Sequence, residues 1–182
     1  MGLMMTRLED LSRMRRSLPS QLAVIAAAMA LLAVTTGSAP AQSLNQGVSA
    51  LNRQDYQQAS RIFIPLAEHG NPSAQAYLGF LFETGRGVPQ NYTEAAMWYR
   101  RAAEQGDSLA QYSLGLLYDR GQGVPRDIVE AGKWLNLSTA AAPPRAREAR
   151  QRIRDAVTGK MSRGEIAQAR QRALEWAPTR ER

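Results

Sequence analysis

A shift of 36 residues lays the middle of this chain on itself. Ala74-Gln75 falls on Ala110-Gln111, Leu78-Gly79 on Leu114-Gly115, and Leu81 on Leu117. Gly85, Gly87, Val88 and Pro89 fall on Gly121, Gly123, Val124 and Pro125. Glu94-Ala95 falls on Glu130-Ala131, Trp98 on Trp134, and Gly70 on Gly106. Matches spread over a whole period are not shared low complexity. A period of this size means an array, in which each unit is too small to bury its own apolar face and must stack on its neighbours.

Each unit reads as two helices. In the first, Ala74, Leu78, Leu81 and Phe82 recur at three and four residues, the helical period. Asn71-Pro72 and Asp107 suit helix starts, with Pro72 in the first turn, where its missing N–H costs nothing. Gly85 and Gly87 permit the positive φ of a tight reversal, Val88 plugs the loop into the core, and Pro89 stops helical continuation. The second helix starts at Asn91 or Asp127. Asn91-x-x-Glu94 and Asp127-x-x-Glu130 both have the spacing of a capping box. Gly79 and Ala95, with Gly115 and Ala131, allow close helix approach, while Trp98 and Trp134 fill the layer.

The pattern AQxxLGxLxxxGxGVPxxxxEAxxWxxxAAExG, quoted from 74–106, resembles the Sel1-like repeat, a relative of the tetratricopeptide repeat. Residues 110–134 agree with it through Trp134, and 136–142 lack its AAExG ending. The resemblance implies an all-α fold, a right-handed α-α solenoid of helix pairs, with a protein or peptide as partner. It divides 42–142 into repeats 71–106 and 107–142, preceded by an abbreviated unit at 44–70. There Gly47 to Ala59 spans 12 residues, where Gly79 to Ala95 spans 16. Three units are about the minimum for stable stacking.

The flanks differ from the array. Arg13, Arg15 and Arg16, then the apolar run 22–34, then Ala39-Pro40-Ala41 have the order of a secretory signal cut after Ala41. The run is shorter than the roughly 20 residues that span a bilayer, so no stable membrane span is expected after cleavage. The mature chain is expected in the periplasm or outside the cell. Beyond Pro143-Pro144, residues 145–158 are helical in composition, and Ser162-x-x-Glu165 opens a last helix as a capping box. Residues 143–182 are read as capping helices that hide the outer face of the last repeat.

The net charge of +7 would suit an anionic partner if it were spread over the chain. It is not. Residues 145–182 carry 11 Lys+Arg and 5 Asp+Glu, while 42–144 carry 8 and 9. The repeat body is nearly neutral. The tail leaves room for weak contact with an anionic surface, but its arginines lack the interleaved aromatics of a nucleic-acid binder.

No catalytic set is legible. The chain has no Cys and one His, which excludes thiol chemistry and multi-histidine zinc sites. G-x-S-x-G, HExxH and GxxxxGK[ST] are absent. No metal or cofactor is expected. His69 sits at a helix end, where a cation is welcome. Some Sel1-like relatives are cysteine-rich secreted proteins associated with β-lactam binding or hydrolysis, so the resemblance leaves an envelope hydrolase as an alternative. Neither Lys133 nor Lys160 has a Ser three residues before it, as S-x-x-K requires. A third alternative is an envelope-associated structural protein using the basic tail. In tetratricopeptide-like arrays the first helices line an inner groove. That places Ser73, Ala76, Phe80, Glu83 and Thr84 on it from one repeat, and Leu109, Tyr112, Leu116, Asp119 and Arg120 from the next.

Overall fold

The computed structural model describes residues 40–179, with side chains from Leu44 onward. The signal sequence lies outside the described residues, apart from the cut expected after Ala41. Eight helices and no strand occur among the described residues. They are α1 (Pro40–Asn52), α2 (Tyr56–Glu68), α3 (Pro72–Thr84), α4 (Tyr92–Glu104), α5 (Ser108–Arg120), α6 (Ile128–Ala140), α7 (Pro144–Thr158) and α8 (Arg163–Leu174). Each helix from α1 to α6 packs on the next, as in a solenoid of helix pairs.

Helix starts follow the sequence closely. Asn71 Oδ1 accepts the N–H of Ala74, Asp107 those of Leu109 and Ala110, Asn91 those of Thr93 and Glu94, and Asp127 those of Val129 and Glu130. These bonds satisfy N–H groups that a helix cannot pair internally. The reciprocal half of the capping box forms only at Ser162–Glu165. At Asp127 the reason is a stronger partner: Glu130 accepts from Arg172 at 2.7 Å and from Lys133 at 3.4 Å. A guanidinium from α8 outcompetes a backbone N–H.

One glycine in each first helix sets how closely the pair can approach. Gly47 lies against the Phe63 ring, Gly79 against Tyr99, and Gly115 against Leu135. The loops after α3 and α5 begin at Gly85 (φ 68°) and Gly121 (φ 69°), whose N–H groups return to Leu81 and Leu117. The second loop glycines, Gly87 (φ +73°) and Gly123 (φ +69°), press on the carbonyls of Tyr56 and Tyr92 at the start of the previous unit's second helix. The loop is therefore a spacer between units as well as a turn.

Between α1 and α2 the loop shrinks to residues 53–55, and its reversal is made by Gln54 at φ 63°. A left-handed non-glycine residue carries roughly 1–2 kcal/mol of strain, part of which glycine's greater unfolded-state entropy gives back. Gln54→Gly is therefore expected to stabilise the chain by about 0.5–1 kcal/mol, read from the midpoint of urea unfolding.

The core runs as layers between units. Phe63, Ala67, Leu78, Leu81 and Trp98 join the first pair to the second. Tyr99, Ala102, Leu114, Leu117 and Trp134 join the second to the third. Each large apolar side chain so buried contributes on the order of 2 kcal/mol. A buried glutamine recurs in each layer. Gln75 Nε2 donates to the Ala67 carbonyl at 3.1 Å, and Gln111 Nε2 donates to the Ala103 carbonyl at 3.2 Å. These bonds tie each first helix to the end of the preceding helix.

The third pair is closed by the C-terminal helices. Val157 and Ile153 of α7 pack with Leu135 and Tyr112. Ala169 of α8 and Met161 before it sit on Gly132 of α6, and Trp176 meets Trp134 edge-on at 6.3 Å. The chain then turns back, and Thr179 N donates to the Glu104 carbonyl at 2.8 Å.

Candidate functional site

The residues expected on the groove fall into three groups. Ala76 is 1% exposed and belongs to the core between the second and third pairs. Its placement on the groove is corrected: the neighbouring α5 covers that stripe of α3, and a partner cannot touch it. Ser73 is half-buried.

In the second repeat two of the groove positions, Tyr112 and Asp119, are engaged from within the chain. Tyr112 packs on Ile153 and Val157, with the Arg150 guanidinium 5.7 Å from its ring centre. The Asp119 carboxylate is 11% exposed and bonded to Lys160 Nζ at 2.7 and 3.0 Å. The expectation that Tyr112 and Asp119 face a partner is therefore corrected, because α7 and the turn after it lie there. Leu116 is half-buried, while Leu109 and Arg120 are exposed.

In the first repeat the face remains open. Phe80 is half-buried, and the exposed Arg86 lies 5.9 Å from its ring and 5.1 Å from that of Tyr56. Arg86 Nη1 also donates to the Tyr56 hydroxyl at 3.1 Å. Thr84 is exposed, and its hydroxyl donates to the Phe80 carbonyl. Glu83 accepts a 2.7 Å hydrogen bond from the Tyr99 hydroxyl. Burial, and then the Glu83 carboxylate, push that hydroxyl far above its ordinary pKa, so it stays protonated and donates.

The resulting patch is aromatic and cationic: Tyr56, Phe80 and Arg86, with Glu83 at its edge. A guanidinium held over aromatic rings keeps donors free for carboxylates and carbonyls. Tyr56 and Arg86 are not among the groove positions that the repeat marks, since the one belongs to α2 and the other to a loop. The only signal was the alternation of Arg86 with Gln122 at an otherwise repeated loop.

Other expected features have structural places. His69 caps the end of α2, with Nδ1 2.6 Å from the Pro65 carbonyl. Leu78, Gly79, Ala95, Trp98, Leu114, Gly115, Ala131 and Trp134 are buried, and Pro89 and Pro125 are exposed in their loops. Among the described residues no three His, Asp or Glu side chains converge as a metal site would require. No helix among them is long and apolar enough to cross a membrane.

Helix pairs stacked at a fixed period, with a glycine loop separating each pair from the one before, define an α-α solenoid repeat protein. The particular repeat is Sel1: the Sel1 repeat model matches residues 72–107 and 108–142, so the chain carries two Sel1 repeats. Among solved structures it is similar to a protective antigen of uropathogenic Escherichia coli strains that displays an SLR fold. That match has 28% identity and a TM-score of 0.69, covering 76% of this chain and 30% of the antigen. It is also similar to a Sel1 repeat protein from Oxalobacter formigenes, at 29% identity and a TM-score of 0.57, covering 74% of this chain and 56% of that one. The chain thus spans about a third and about half of the two proteins. No curated protein matches the sequence.

Proposed function

We propose that this is an exported, non-catalytic scaffold that binds a protein or peptide segment through the open face of its first repeat. The observation that carries the reading is the exposed guanidinium of Arg86 between the rings of Tyr56 and Phe80, beside repeats of a kind that commonly serve protein interaction. Arginine and aromatic side chains are favoured binding anchors. The chemistry suits an extended segment with a carboxylate for Arg86 and an apolar side chain for Phe80.

Export is part of the proposal. A cut after Ala41 would remove two residues from the start of α1 and leave Gly47 and its packing on Phe63 intact. N-terminal sequencing of the protein recovered from a periplasmic fraction should begin at Gln42. A full-length cytoplasmic product overturns that part.

The binding test is affinity capture from a periplasmic extract. Arg86→Glu replaces an exposed side chain and should reduce recovery of the captured protein at least tenfold, with unchanged helical circular dichroism. Arg126→Glu, on the neighbouring loop, is the charge-matched control. Equal loss with both variants, or with neither, removes the face around Arg86 as the binding site.

A further inference from the structure

Comparison of the two repeats points to a surface at the far end of the array, independent of the first-repeat face. In the first repeat α4 carries Arg100, Arg101 and Glu104, and the residues 36 positions on, in α6, are Asn136, Leu137 and Ala140. A charged stripe has become a mostly apolar one. The last helix, α8, crosses this stripe without closing over it. Asn136, Leu137 and Ala140 line one side of a surface hollow of about 320 Å³, and Arg170, Ala173 and Leu174 of α8 line the other. Leu174 stands at the lip and is 82% exposed, more than any other large apolar side chain among the described residues. A lone exposed leucine means little, but a leucine beside an apolar hollow makes a patch.

We infer that this patch is an interface between two copies of the chain, each seating its Leu174 in the hollow of the other. A two-fold contact requires one surface to supply both knob and hole, and here the two lie side by side on the same helix. A partner that only filled the hollow would leave Leu174 in water.

Charge on α8 fits the same arrangement. Arg172 is turned onto Glu130 at 2.7 Å, whereas Arg170 is exposed and has no carboxylate partner among the described residues. Glu175, exposed at the end of the helix, is held only by Gln171 one turn back. In a two-fold pair the α8 helices run antiparallel, so four residues back along one is four residues forward along the other. The register that seats Leu174 of one copy between Arg170 and Ala173 of the other therefore sets Arg170 against Glu175, twice. A register that set Arg170 against its own copy would oppose like charges. Two leucines and their rims bury less than a standard interface, so the dimer is weak, with a Kd on the order of 100 µM.

Sedimentation velocity of the purified protein, at concentrations up to about 500 µM, should show reversible dimers. Leu174→Asp should weaken them at least about tenfold with unchanged helical circular dichroism, since the side chain is already in water in the monomer. Arg170→Glu and Glu175→Arg should each weaken the dimer about fivefold, and the double exchange should return it to within about twofold of wild type. A wild type that stays monomeric throughout overturns the inference and leaves the patch to a different partner. So does a Leu174→Asp variant that dimerises as well as wild type, or a double exchange no better than its single variants. Arg86→Glu should leave the dimer unchanged, so failure of the first-repeat face and failure of this interface are read separately.

Discussion

Gly123→Ala is expected to cost about 4 kcal/mol, enough to unfold a large share of a marginally stable chain. Two effects add at this position. The backbone has φ +69°, where an L side chain carries about 1–2 kcal/mol of strain. The new Cβ would also land on the carbonyl of Tyr92, and backbone at a helix start cannot swing aside as a side-chain tip can. Relieving the clash means moving the loop away from the preceding unit, which takes Val124 out of the layer it shares with Leu117 and Trp134. Gly121→Ala separates the two effects. Its φ is +69° as well, but its nearest atom is Arg126 Cβ at 3.2 Å, so only about 1–2 kcal/mol should be lost. Equilibrium urea unfolding of both variants decides the matter. Equal losses would mean that strain alone operates and that the loop does not set the spacing between units. The same contrast should hold one period earlier, between Gly87 and Gly85.

That loop explains why so much of the fold is legible in sequence. Asn71, Asn91, Asp107 and Asp127 cap helices through bonds spanning two or three residues, so each states its role locally. Gly79 and Trp98 repeat because the same neighbours recur one period on. Ala76 shows where local reasoning stops. It lies one helical turn before Phe80, and the period alone puts both on one face. Which part of that face is covered depends on how α5 leans on α3, and Ala76 falls under it while Phe80 stays half open. Tyr112 and Asp119 were further beyond reach. Their partners Arg150 and Lys160 lie about forty residues away, in a segment outside the repeat. Glu130 likewise follows the capping-box spacing, but Arg172 draws it elsewhere. The buried glutamines were visible as repeated letters, yet their function rests on a bond to the preceding helix that no spacing rule encodes.

The tail poses a choice between cap and binding arm, and a pair of arginines on α7 separates the two. Arg150 points inward. Its Nη1 donates to the Ser108 carbonyl at 2.9 Å, to Ser138 Oγ at 3.0 Å and to the Ser138 carbonyl at 3.3 Å. Its guanidinium lies over Tyr112. Burial lowers the pKa of this group, and the nearby Asp107 opposes that effect. Arg152, two residues on, points outward and pairs with Glu148 where the two side chains are 76% and 79% exposed. A charge-assisted bond to a buried carbonyl contributes about 1.5–3 kcal/mol, whereas an exposed i,i+4 pair contributes about 0.3–0.5. Arg150→Ala should therefore cost about 2–3 kcal/mol in urea unfolding, and Arg152→Ala less than about 0.5. Arg150→Lys should recover only part of the loss, since a point charge cannot both stack on Tyr112 and span two acceptors. Hydrogen exchange gives the spatial readout: in Arg150→Ala the α7 amides should lose protection before those of α3 and α4. If both alanine variants cost the same small amount, α7 is a solvated arm. Tyr112 and Asp119 would then return to the list of surfaces a partner could reach.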